Sequence, residues 1–114
     1  MTHPDLVKAL KKPGQEILDT LTAEKCDLLH MAIGLAGESG ELLDAVKKHV
    51  IYNQPLDLAN VREELGDIEF FMEGIRQNLW LSRGEILVEN IQKLQKRYGS
   101  KYSDAAAKER KDKA

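Results

Sequence analysis

Residues 22–50 read TAEKCDLLHMAIGLAGESGELLDAVKKHV, and this stretch decides the fold. Leu28, Met31, Leu35, Leu42, Ala45 and Val46 recur at three- and four-residue spacing, which marks the apolar stripe of a helix rather than the alternation of a strand. Thr22 stands where an N-cap belongs, and Tyr52-Asn53-Gln54-Pro55 ends the run. A helix is therefore expected from Thr22 to about Val50.

The same logic extends outward in both directions. Asp57 caps a second long stretch running to about Leu81, with Val61, Leu65, Ile68, Phe71, Ile75 and Leu79 on its apolar face. Ser82 followed by Glu85 is a capping-box pattern. It opens a last helix through Ile86, Ile91, Leu94 and Tyr98, which Gly99 stops. Upstream, Thr2 with Asp5 opens a helix from Pro4 to about Lys12, and Pro13-Gly14 breaks it. Gln15 to Leu21 continues at an angle. Aromatic residues are only 5% and β-branched runs are scarce, which disfavours a sheet. The expected class is all-α, a helical bundle of four to five helices joined by short loops. Its two long helices carry wide apolar faces that one short chain does not cover, so homo-oligomerisation, as a homodimer or tetramer, is expected to complete the core.

A chain of 114 residues fits a single domain, here 1–114. Hydrophobic residues at 42% and charged residues at 32% place it among folded rather than disordered chains. The formal net charge of -2 lacks the basic footprint of a nucleic-acid binder, so no nucleic-acid partner is expected. The one basic cluster, Lys108 to Lys113, is interleaved with Glu109 and Asp112. It reads as part of a charged, frayed tail from about 104 to 114. No apolar run is long enough to cross a membrane, and the opening MTHPDLVK has no apolar h-region. The single Cys26 excludes an internal disulfide and reads as a packed core thiol. A cytoplasmic location is expected.

Four acids sit where acids do not belong. Glu38 and Glu41 are three apart on one helix face, on or beside the stripe of Met31, Leu35, Leu42 and Ala45. Glu64 and Asp67 repeat the spacing on the next helix, flanked by Val61, Ile68 and Phe71. Burying one unpaired carboxylate costs several kcal/mol, several together repel, and a whole domain is stable by only about 5–15 kcal/mol. Such a cluster calls for a cation, and carboxylates on facing helices suit Mg²⁺. Glu63 reads as outward, and Glu69 and Glu73 read as solvated charges on an outer face beside Arg62 and Arg76. Gly34, Gly37 and Gly40, with Gly66 and Gly74 on the next helix, would let a second helix or a ligand approach closely.

The segment Gly37-Glu38-Ser39-Gly40-Glu41-Leu42-Leu43-Asp44-Ala45, followed by Glu63-Glu64-Leu65-Gly66-Asp67-Ile68, resembles the MazG-like family of all-α nucleoside triphosphate pyrophosphohydrolases. Its superfamily includes dimeric dUTPases, dCTP pyrophosphatases and phosphoribosyl-ATP pyrophosphohydrolase. ExxE on one helix and ExxD on the next are the family's signature. Asn90-x-x-Lys93 with Arg97-Tyr98 resembles its C-terminal segment, which approaches the triphosphate. The resemblance implies that Glu38, Glu41, Glu64 and Asp67 hold Mg²⁺, with Mn²⁺ as a substitute ion. It makes Asn90, Lys93 and Arg97 candidate contacts to a nucleoside triphosphate substrate. The implied reaction is attack of water on the α-phosphorus, releasing pyrophosphate and a nucleoside monophosphate. Glu41 is the candidate general base, and cleaning of the nucleotide pool is the implied role. Lys48 is a candidate phosphate contact, although a solvated helix C-terminus explains it as well. Trp80, Tyr52 and His30 are candidates for base contact, with packing as the alternative.

Two other readings compete. A di-iron carboxylate bundle needs Glu-x-x-His motifs, but His30 follows Asp27 and His49 follows Val46. A non-catalytic oligomeric adaptor with an ion-binding acidic cluster predicts no turnover.

Overall fold

The computed structural model describes residues 1–99 and 101–110. All the regular structure in them is helical, in the order α1 (His3–Leu10), α2 (Gly14–Thr20), α3 (Ala23–Val50), α4 (Leu58–Asn78), α5 (Arg83–Tyr98) and α6 (Asp104–Glu109). The fold class is all-α, as the periodicity requires. The caps lie where the sequence places them. Thr22 Oγ1 accepts from the Lys25 N–H at 3.1 Å and Asp57 Oδ1 from the Asn60 N–H at 3.0 Å. Ser82 Oγ accepts from the Glu85 N–H at 3.3 Å, one of the two bonds of the expected box. Thr2 and Asp5 close a full capping box. The sixth helix falls in the segment expected to fray: Ser103 caps α6 by accepting from the Ala106 N–H. Residues 111–113 of the basic cluster lie outside the described residues.

Two boundaries differ from expectation. α1 ends at Leu10, two residues early, because Lys11 already adopts an extended conformation ahead of Pro13. α4 ends at Asn78 rather than near Leu81. Trp80 takes the left-handed conformation, φ 56°. The Leu81 N–H then reaches back to the Arg76 carbonyl at 2.9 Å, and the Trp80 N–H to that of Gln77 at 3.3 Å. These two bonds form the helix-ending motif whose left-handed position glycine normally fills. An L-residue there costs about 1–2 kcal/mol.

α3 and α4 form an antiparallel pair, and α5 packs with α6; among the described residues no other two elements pack extensively. Two glycines set the register of the long pair. The Phe71 ring lies against Gly34, and the Met31 side chain against Gly74, each where a Cβ would stand. Gly37, Gly40 and Gly66 have nothing within 4 Å of that position, so they do not serve this close approach.

The pair leaves most of the apolar surface uncovered. Among the described residues Ala45 is the one buried hydrophobic side chain, joined by buried Glu64 and Arg76. Leu28, Met31, Leu35, Leu42, Val61, Ile68, Phe71 and Ile75 are half-buried, while Val46, Leu65 and Leu79 are exposed. The radius of gyration is 19.7 Å, against about 13 Å for a compact domain of this length. Cys26, expected in a core, is exposed, because its turn of α3 has no covering layer. Arg76, expected on an outer face, is buried with its Nε donating to Glu73 Oε1 at 2.9 Å. No helix among the described residues is long and apolar enough to cross a membrane.

The glycines give a paired prediction. Gly34→Ala should lower the melting temperature, because displacing a packed ring typically costs about 1–3 kcal/mol. Gly37→Ala should raise it, by the gain of about 1 kcal/mol in helix propensity. Thermal unfolding followed by circular dichroism measures both.

Candidate metal centre

The register that seats Phe71 on Gly34 also sets Glu64 of α4 opposite Glu38 and Glu41 of α3. Each of these three side chains presents a carboxylate oxygen, and the three oxygens lie within 4.8 Å of one another. Burial is graded across them: Glu64 is buried, Glu38 half-buried and Glu41 exposed. Two oxygens, Glu38 Oε2 and Glu64 Oε2, are fully shielded from solvent and have no hydrogen-bond partner. A shielded carboxylate oxygen without a donor is a costly arrangement that native chains rarely tolerate. The pair is therefore a ready ligand set for a hard cation, which needs several convergent oxygens.

The electrostatics agree with the geometry. The Glu64 carboxyl is pushed up from its ordinary 4.5 to about 8. The leading cause is the Glu38 carboxylate beside it, which a proton on Glu64 bridges. Burial follows, then Glu41. A bound cation and a retained proton are alternative ways to neutralise the same crowding.

The other expected site residues are placed as follows. Asp67 lies one turn beyond Glu64 on α4 and is half-buried; its carboxylate is not in the three-residue group. Lys48 is engaged with Asp44, Nζ to Oδ2 at 2.9 Å, and Lys47 lies 5.7 Å from the Tyr52 ring centroid. Asn90, Lys93 and Arg97 lie on α5, which among the described residues does not pack extensively on α3 or α4. The Arg97 guanidinium stands 5.8 Å from the Tyr98 ring centroid. Glu63 and Glu69 are exposed. Trp80, read as either a base contact or a packing residue, is 95% exposed among the described residues.

One feature escapes the sequence pattern. A cavity of about 440 Å³ opens in the α3–α4 groove, lined by Asp27, His30, Met31, Phe70, Gly74 and Gln77 among others. Met31 is seven residues from Glu38, so the cavity begins about 10 Å along the helix axis from the acids. The sequence marks several of its lining residues singly but not their convergence, because the lining is drawn from both α3 and α4.

The acidic cluster makes stability depend on pH and on cation together. The folded chain holds a proton on Glu64 that the unfolded chain releases once the pH passes about 4.5. That contribution to stability is full below about 4.5 and is lost as the pH rises toward about 8. In chelator, the melting temperature should therefore fall across this window, and less steeply in Glu64→Gln. Saturating Mg²⁺ should restore the loss in the unmutated chain and not in Glu64→Gln. Scanning calorimetry at several pH values, with and without Mg²⁺, reads the effect.

No curated protein and no solved structure gives a match to the chain. A family description does: the MazG nucleotide pyrophosphohydrolase domain matches residues 26–100, a span holding all but the first three residues of α3, the whole of α4 and α5, and the three convergent glutamates. The chain belongs to the MazG nucleotide pyrophosphohydrolase family.

Proposed function

We propose that the chain hydrolyses nucleoside or deoxynucleoside triphosphates to the nucleoside monophosphate and pyrophosphate, in the service of cleaning the nucleotide pool. The observation that carries this reading is the pair of shielded, partnerless oxygens on Glu38 and Glu64, with Glu41 converging on them. On this reading Glu38, Glu41, Glu64 and Asp67 hold Mg²⁺, for which Mn²⁺ can substitute. A bound ion would supply charge neutralisation for the phosphate oxygens and would lower the pKa of a water it holds.

The chain's own residues do the rest. Glu41 is the most exposed of the three convergent acids, so its carboxylate meets solvent at the rim and can take the proton from the attacking water. Glu64 and Glu38 are too buried for that task and fix the position of the centre. Asn90, Lys93 and Arg97 fall at i, i+3 and i+7 of α5 and so share one helix face. That face presents donors to the non-bridging phosphate oxygens once assembly carries α5 to an acidic cluster, its own or that of a second copy. Lys48 can join them, because its partner Asp44 is a solvent-exposed i,i+4 neighbour and such pairs are weak. Phosphoryl chemistry asks for this kind of positioning and charge rather than covalent catalysis.

The exposed apolar faces and the extended protomer support work as a homodimer or tetramer. The occupant is a second copy because each of α1 to α5 carries uncovered apolar side chains, which one identical partner can cover reciprocally.

The test is a panel of nucleoside and deoxynucleoside triphosphates incubated with Mg²⁺ and scored for pyrophosphate. Turnover should require the ion and stop in chelator. Glu38→Gln and Asp67→Asn should each lower kcat at least a hundredfold while keeping the helical circular dichroism spectrum. Orthophosphate as the product would refute the pyrophosphohydrolase chemistry, and no turnover on any nucleotide would favour the non-catalytic adaptor.

A further inference from the structure

Trp80 joins three properties that no helix cap needs. Its backbone is left-handed, φ 56°, at the position where glycine would end α4 without strain. Its side chain is 95% exposed, so burial among the described residues does little to offset the strain. It also lies inside a short apolar run, between Leu79 at 46% and Leu81 at 49% exposure. Strained positions of this kind persist where something else uses them, and an exposed indole is the side chain most enriched as an anchor in protein interfaces.

The same end of the hairpin carries a matching hole. The cavity of about 440 Å³ includes Asn78 in its lining, two residues before Trp80, with Met31, Phe70 and Gly74 as its apolar wall. That volume accommodates an indole. A knob and a hole side by side on one surface are what a two-fold interface requires, since each copy offers both. A tryptophan buries about 150–250 Å², and Leu29 of α3, Phe70 of α4, and Leu79 and Leu81 on either side of Trp80 are exposed as well. Together they supply apolar area toward the roughly 800 Å² per partner of a stable interface.

We propose that Trp80 anchors self-association by seating in the cavity between Asp27, His30, Met31 and Phe70 of a second copy, whose Trp80 is received in return. The proposal rests on the self-association inferred above and names the contact that carries it. In the assembled chain the indole is enclosed, and the left-handed turn serves to aim it outward from the helix end.

The chain contains a single tryptophan, so its fluorescence reports this contact alone. Emission and acrylamide quenching are measured on the full chain across a dilution series, with sedimentation velocity run in parallel. The expected result is blue-shifted, quench-protected emission in the associated species, shifting red together with dissociation. An associated chain with freely quenched tryptophan would overturn the contact and leave self-association standing. A chain monomeric throughout would overturn both, and protection that appears only on adding nucleotide would mean that the ligand, not a second copy, covers the indole. Trp80→Gly separates anchor from cap. It relieves the left-handed strain, so a mere cap predicts unchanged association with a higher melting temperature. An anchor predicts association weakened at least tenfold with the helical content kept. Phe70→Ser removes one exposed wall of the cavity without touching Trp80. It should raise the quenching of Trp80, and undiminished protection would count against the cavity as its seat.

Discussion

The structure depends on one unfavourable encounter, the convergence of Glu38, Glu41 and Glu64 across the α3–α4 groove. Like charges in a shielded site oppose the packing that brings them there. Two oxygens without donors and a Glu64 carboxyl raised to about 8 are the two signs of that opposition. A chain free to choose would place neutral side chains on this stripe. That it places three acids there is an argument for a cation, which on the reading proposed above would belong to the nucleotide-hydrolysing centre of this family.

What holds the acids together is the fit of two helices rather than a conventional core. Phe71 on Gly34 and Met31 on Gly74 fix the register of α3 against α4, and the acidic group lies just beyond, toward the closed end of the hairpin. With one hydrophobic side chain buried among the described residues, the hairpin has little else to rely on. The apolar surface that a compact domain would bury in its interior is left exposed here, which is what the proposed self-association would cover. On the proposed reading the metal centre and the oligomer are coupled: a bound ion would relieve repulsion within the pair, and association would supply the burial that keeps the pair closed.

The long helices and their caps were legible because periodicity and capping are local properties. Thr22, Asp57 and Ser82 act within three residues of themselves. The acidic centre was legible for a related reason, since Glu38 and Glu64 interrupt apolar stripes that had to face inward. What could not be read depends on register or on uncovered space. Which glycines touch a neighbour depends on which turn of α3 meets which turn of α4, so Gly34 and Gly74 differ from Gly37 and Gly66 with no difference in sequence context. Cys26 sits in an apolar stretch yet is exposed, and Arg76 sits in a charged one yet is buried, because one protomer supplies two layers at most. The turn at Trp80 was hidden because it uses no glycine, and the cavity beside it because its lining is scattered over both helices. The relation of Asn90, Lys93 and Arg97 to the acids is likewise a matter of assembly, which no spacing encodes.

The central claim is that the convergent carboxylates form a cation site. Its most direct measurement is anomalous diffraction from crystals grown with Mn²⁺ and a triphosphate analogue that resists cleavage at the α-phosphorus. The account predicts an anomalous peak bounded by the carboxylates of Glu38, Glu41 and Glu64, with phosphate oxygens on its open side. Metal bound elsewhere, with these three acids turned away from one another and solvated, would contradict it.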